Sequence, residues 1–169
     1  MDKIKLLCCD IDGTLTDSTV YYSEKGEELK QFSHRDGRGF HLIKELTKCK
    51  VALITSEIGG INKARGDKFL RLGTISDYIE GKDTKLESVE KLCKKYNIEL
   101  TEIAFIGDDT NDIDPLKVVG FSACPIDAHR NIKIICNYIS HFPGGHGAVR
   151  DIIDYMIEYN MFWKGDNAN

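Results

Sequence analysis

The sequence has no Cys-x-x-Cys pair. Its six cysteines, Cys8, Cys9, Cys49, Cys93, Cys124 and Cys136, stand at spacings that fit no zinc module. Cys8, Cys9 and Cys124 fall inside apolar runs, so they read as buried, reduced thiols. There is no apolar stretch long enough to span a bilayer. The charged Asp2, Lys3 and Lys5 do not read as a secretory leader. These absences predict a cytoplasmic protein with no membrane partner. An excess of positive charge is also missing. Lys and Arg number 23 against 27 Asp and Glu, a net charge of -4, which argues against a nucleic-acid partner. No internal repeat, low-complexity segment or linker divides the chain. With 169 residues, 41% of them hydrophobic, the expectation is one domain over 1–163 and a polar, disordered tail over 164–169.

What is present is an alternation of strand-like and helix-like segments. Short apolar runs at Ile4–Cys9, Val51–Ile54, Ile103–Ile106 and Phe121–Cys124 read as strands buried on both faces. A further strand is predicted over Thr74–Ile79, and Ile132–Ile139 contains another. Helical spacing runs over Phe40–Leu46, Ile61–Leu72, the segment from Leu86 to Cys93, and Val149–Phe162. Thr84, with Glu87 three residues on, has the form of a capping box. Asp36 reads as the cap of the helix that follows it. Val20–Ser23 and Leu29–Phe32 flank Glu24-Lys25-Gly26-Glu27, a hairpin pattern with Gly26 in the turn. The fold class is therefore α/β: a three-layer, Rossmann-like fold with a mainly parallel sheet and one small β-hairpin.

In such a sheet ligands bind beyond the carboxyl ends of the strands. Several predicted strands end there in polar groups. The first delivers Asp10 and Asp12, the second Thr55 and Ser56, and a third Asp108 and Asp109, followed by Asp112. Lys82 and Lys85 lie between them. Converging carboxylates repel one another unless a hard cation sits among them, and oxygen ligands suit Mg2+. Of two neighbouring carboxylates, one can act as nucleophile and the other as general acid and base.

Asp10-Ile11-Asp12-Gly13-Thr14-Leu15-Thr16-Asp17 resembles the first motif of the haloacid dehalogenase-like phosphatases. Thr55 matches their second motif, Lys85 the third, and Gly107-Asp108-Asp109-Thr110-Asn111-Asp112 the fourth. The resemblance implies that Asp10 attacks phosphorus and that Asp12 protonates the leaving oxygen and then activates water. It implies that Thr55 and Ser56 hold the phosphoryl group, and that Lys85 offsets charge on it and on Asp10. Asp10, Asp12 (through its carbonyl) and Asp108 would bind magnesium, with Asp109 and Asp112 behind them. Lys82 competes with Lys85 for the third role; Lys85 is preferred because it opens the helix.

There is no large cap insertion, only the hairpin about Val20–Phe32 as a flap. With Gly144-Gly145-His146-Gly147-Ala148-Val149-Arg150 near the C-terminus, this resembles the phosphatases of 3-deoxy-octulosonate 8-phosphate and of nonulosonate 9-phosphates. That subgroup implies a homotetramer whose hairpins join between subunits and whose neighbours close each site. Glu57, two residues after Thr55, and Lys68 lead the reading toward a nine-carbon substrate, a KDN or N-acylneuraminate 9-phosphate of sialic-acid-type synthesis. Glu57 would accept from sugar hydroxyls, and Lys68 would meet the carboxylate. Arg150 and His146 would reach a neighbour's site. The alternative substrate is the eight-carbon 3-deoxy-D-manno-octulosonate 8-phosphate of lipopolysaccharide synthesis. An alternative of another class is a non-catalytic oligomerisation domain like those fused to acylneuraminate cytidylyltransferases.

Overall fold

A computed structural model describes residues 2–165; of the predicted tail, positions 166–169 lie outside the described residues. Strand β1 (Leu6–Cys9) is followed by a hairpin of β2 (Thr16–Ser23) and β3 (Gly26–Phe32). Then come α1 (His34–Leu46), β4 (Lys50–Thr55), α2 (Gly60–Arg71), β5 (Asp77–Glu80) and α3 (Lys85–Tyr96). The chain continues through β6 (Ile103–Ile106), α4 (Ile113–Val118), β7 (Phe121–Cys124), α5 (Arg130–Ile135), β8 (Tyr138–Ile139) and α6 (Ala148–Glu158). The six sheet strands stand in the order β5-β4-β1-β6-β7-β8, and their pairings are parallel.

The period of two in β1 explains the layers. Leu7 and Cys9 face a core built with Phe40, Ile43, Val149, Ile152, Ile153 and Met156 of α1 and α6. Leu6 and Cys8 face the opposite core, with Val89, Leu92, Leu116 and Ile132 from α3, α4 and α5. With both faces covered, a central strand has no polar side, which is why β1, β4 and β6 read as continuous apolar runs. β1 pairs with β4 on one side and β6 on the other. The strand order therefore reverses about β1, and its carboxyl end opens at the switch point.

Four local expectations change. Gly26 opens β3 and pairs with Ser23, so Glu24 and Lys25 alone form the turn. The strand expected from Thr74 begins at Asp77, because the Thr74 N–H closes α2 onto the Phe69 carbonyl. Helix α6 stops at Glu158 instead of running to Phe162. Asn160 takes a positive φ of 50°, and the chain turns so that Phe162 pairs in parallel with Ile4. Asp36 does not cap α1; Ser33 does, accepting from the Arg35 N–H. Asp36 is buried instead, and its Oδ1 accepts from the Arg150 N–H at 2.8 Å in the first turn of α6. The capping box of α3 forms as read, with Thr84 and Glu87 accepting from each other's backbone N–H.

Two measurements follow. Thr84→Ala removes one half of the box and costs about 1 kcal/mol, read as a lowered midpoint in urea unfolding. Burial raises the Asp36 carboxyl to about 6, against the N–H it accepts from Arg150. A raised carboxyl weighs against the folded state once it ionises. Wild type therefore loses stability relative to Asp36→Asn as the pH rises through the window from 3.8 to about 6. The relative loss is at most about 3 kcal/mol, checked by unfolding both proteins at about pH 4 and about pH 8.

Candidate active site

The carboxyl end of β1 carries Asp10, buried beneath the cleft. Its Oδ1 pairs with Lys85 Nζ at 2.7 Å. The same ammonium meets Asp112 Oδ1 at 2.6 Å. Lys85 is the first residue of α3, delivered inward by the Thr84 cap, whereas Lys82 is exposed. Asp112 spends its other oxygen on the loop after β6: Oδ2 accepts from the backbone N–H of Asp108 at 3.0 Å and of Asp109 at 3.3 Å. Asp108 Oδ1 accepts from the Thr14 hydroxyl at 3.1 Å. Two glycines make room for this packing. A Cβ on Gly107 would collide with the Asp112 carboxylate, and one on Gly13, whose φ is +86°, would occupy the place of the Asp108 carboxylate.

Asp10, Asp108 and Asp112 each bring an oxygen within 4.8 Å of the others. Burial pushes the Asp10 carboxyl well up, and the charge of Asp112 adds to the rise against Lys85. Burial, and then Asp112, raises Asp108 to about 6. Lys85 stays firmly charged, because Asp10 and Asp112 outweigh the burial that would lower it. Ionised together, the three carboxylates would outnumber the one ammonium by two in a nearly dry place, which is what the raised Asp10 and Asp108 reflect. An all-oxygen donor set with that surplus fits a hard divalent cation such as Mg2+.

Asp12 lines a cleft of about 450 Å³ with Asp10, Thr55, Ser56, Glu57, Asp108 and Asp109. Thr55 Oγ1 accepts from the Glu57 N–H at 3.1 Å, which leaves its O–H for a ligand in the cleft. Two further residues, Lys30 and Asn62, escaped the sequence reading. Lys30 Nζ meets Asp12 Oδ1 at 2.9 Å and pairs with Glu57 Oε2. Asn62 Nδ2 donates to Asp12 Oδ2 at 2.6 Å and to Glu57 Oε2 at 3.2 Å. Burial opposes charge on Lys30, but its bonds to Glu57 and Asp12 raise it overall. Burial raises Glu57 even though Lys30 draws it down. No local pattern marks Lys30, because its partners Asp12 and Glu57 stand 18 and 27 positions away in the chain.

Lys68 and Arg150 are not brought to this cleft. Lys68 lines a separate basic hollow with His34, Arg38, His41 and Arg65. Arg150 lines a mixed-charge hollow with Arg35, His146, Asp151 and Asp154, and its Nε is held by Asp154 at 2.7 Å. Both side chains belong to helices on the face of the sheet where α1 packs, and they line hollows other than this cleft.

A model of the haloacid dehalogenase-like hydrolases matches residues 61–153. The chain belongs to that family. It is 35% identical over 156 residues to the 3-deoxy-D-manno-octulosonate 8-phosphate phosphatase of Salmonella typhi, covering 92% of this chain and 80% of that protein. Two solved structures of family members superpose closely. One, a putative 3-deoxy-D-manno-octulosonate 8-phosphate phosphatase of Vibrio cholerae, has a TM-score of 0.84 at 34% identity, over 93% of this chain and 85% of that one. The other is the 3-deoxy-D-manno-octulosonate 8-phosphate phosphatase of Moraxella catarrhalis, in complex with magnesium, phosphate and KDO. It has a TM-score of 0.83 at 33% identity, over 92% and 86%. The all-parallel sheet with a hairpin in place of a cap is thus the haloacid dehalogenase-like fold in a short form. Among the described residues no helix is long and apolar enough to cross a membrane.

Protons and a divalent cation compete for Asp10 and Asp108. Mg2+ affinity, measured by titration calorimetry, therefore weakens as the pH falls through about 6. Gly13→Ala displaces Asp108 and lowers that affinity at every pH.

Proposed function

We propose that this chain is a magnesium-dependent phosphatase that hydrolyses 3-deoxy-D-manno-octulosonate 8-phosphate through a phosphorylated Asp10. The observation that carries the reading is the placement of Asp10. It stands buried at the switch point, paired with Lys85, beside Asp108, with Asp12 facing the same cleft. Asp10 and Asp108, with the Asp12 carbonyl, would hold Mg2+, which neutralises charge on the phosphoryl oxygens when bound. Asp109 and Asp112 stand behind them, and Asp112 fixes the loop and the lysine.

In the first step an Asp10 oxygen forms a bond to phosphorus as the bond to the sugar oxygen breaks. The electron pair leaves with that oxygen, which takes a proton from Asp12. In the second, Asp12 takes a proton from water, the water oxygen bonds to phosphorus, and Asp10 is released with its electron pair. Thr55 and Ser56 donate to the phosphoryl oxygens, and Lys85 offsets their charge. Phosphate-ester hydrolysis is so slow unaided that accelerations reach up to ~10²¹, so a preorganised set of charges is what the reaction requires.

The eight-carbon substrate replaces the nine-carbon one that Glu57 and Lys68 suggested. Glu57 is engaged through Oε2 by Lys30 and Asn62, so the protein itself uses part of its acceptor capacity. Lys68 sits outside the cleft of its own chain. The relatives in the comparison act, by name, on the octulosonate ester. A non-catalytic assembly domain would have no use for a buried Asp10–Lys85–Asp112 cluster.

An open cleft needs a cover that excludes water. Tyr21 and Leu29, a cross-strand pair, leave 57% and 64% of their surface exposed on the hairpin, an apolar patch suited to a second copy of the chain. In a homotetramer built on the hairpins, the basic hollow of Lys68 or the mixed-charge one of Arg150 would meet a neighbour's cleft and take the carboxylate of the sugar acid.

The test is phosphate release with Mg2+ from octulosonate 8-phosphate, nonulosonate 9-phosphates and simple sugar phosphates. The expected result is a clear preference for the octulosonate ester and no turnover in Asp10→Asn, with an unchanged circular-dichroism spectrum. A preference for a nonulosonate ester would reject the substrate and keep the chemistry; retained turnover in Asp10→Asn would reject the nucleophile. Tyr21→Lys with Leu29→Lys is expected to give a smaller particle by light scattering and a raised KM.

A further inference from the structure

Asp12 stands at the tip of a turn, past the end of β1, with 37% of its side chain exposed. Nothing in the backbone alone fixes such a side chain. Both its oxygens are nevertheless taken: Oδ1 by the Lys30 ammonium at 2.9 Å and Oδ2 by the Asn62 amide at 2.6 Å. The Lys30 side chain is only 2% exposed, so a cation has been buried to reach this place. Burying one is costly unless it is paired, and here Asp12, Glu57 and, at 3.8 Å, Glu27 surround it. Asn62 is fully buried at the start of α2. Its amide bridges Asp12 and Glu57 as the lysine does.

The origin of the lysine matters more than its charge. Lys30 belongs to β3, and Val20 of β2 is its cross-strand partner. The hairpin is a separate two-stranded sheet, tied to the site through this side chain. We propose that Lys30 and Asn62 are the positioning residues of Asp12, and that through Lys30 the hairpin sets where the proton donor stands. The hairpin then contributes to leaving-group departure as well as covering the cleft. This rests on the phosphatase reading: Asp12 gives its proton to the ester oxygen as the phosphorus–oxygen bond breaks. A proton donor misplaced by about 1 Å loses about 10²-fold in rate.

The role separates from a merely structural one through the leaving group. A sugar alkoxide needs that proton; p-nitrophenolate departs well without it. The measurement is kcat/KM, which reports the step in which the leaving group departs, for the sugar-acid phosphate and for p-nitrophenyl phosphate. It is made on wild type, Lys30→Met, Lys30→Gln, Asp12→Asn and the double variant Asp12→Asn with Lys30→Met, with unfolding midpoints for each. Lys30→Met is expected to lose about 10²-fold on the sugar-acid phosphate and at least tenfold less on p-nitrophenyl phosphate. Lys30→Gln, which keeps a hydrogen-bond donor, falls between. In the Asp12→Asn background, Lys30→Met adds no further loss. Equal losses on both esters, or a full additional loss in the Asp12→Asn background, would overturn the proposal and return Lys30 to a binding or structural role. A wild type that releases phosphate from neither ester would overturn the phosphatase reading itself, and this proposal with it.

Discussion

The ammonium of Lys85, held between Asp10 and Asp112, joins three separate stretches of chain. Asp10 ends the first strand, Lys85 opens a helix from the middle of the sequence, and Asp112 belongs to the turn after β6. Without the lysine, two buried carboxylates would face each other across a dry gap, and a buried charge left unpaired costs several kcal/mol. With it, the pair still leaves Asp108 uncompensated, and burial raises both Asp10 and Asp108. The folded protein is therefore built with a deficit of positive charge that a bound cation would fill. Glycines at 13 and 107 exist for the same reason: the carboxylates occupy the volume where a Cβ would stand.

Much of this was legible in the sequence because the central strands are buried on both faces. Leu6–Cys9, Lys50–Thr55 and Ile103–Ile106 each present a polar group where the apolar run ends, so the strand ends and the chemistry announce themselves together. The Thr84 capping box was readable because its partners are three residues apart. Local patterns of that kind survive folding.

The parts that were not legible depend on partners far apart in the chain. Asp36 stands shortly before the helical spacing that starts at Phe40 and so looks like a cap; its actual partner, the Arg150 N–H, is 114 positions away. The end of α6 is set by Ile4, which draws Phe162 into a parallel bridge over a segment whose apolar spacing could continue as helix. Lys30 reads as a surface residue of a charged hairpin until Asp12, Glu57 and Asn62 are placed around it. Lys68 carries the opposite lesson, since a basic residue at a suggestive spacing turned out to open onto a different hollow.

The bridge between Ile4 and Phe162 has a mechanical side. The Ile4 N–H donates to the Met161 carbonyl and the Trp163 N–H donates to the Ile4 carbonyl, each at 2.9 Å. Because the two segments run parallel, a pull that separates the stretch before Ile4 from the stretch after Trp163 acts along the strands. It loads both hydrogen bonds at once, in shear, instead of peeling them one after the other. The contact at the amino end of the central strand is thus its clasp, and tension on the two ends must slide that clasp before it reaches the strand that carries Asp10.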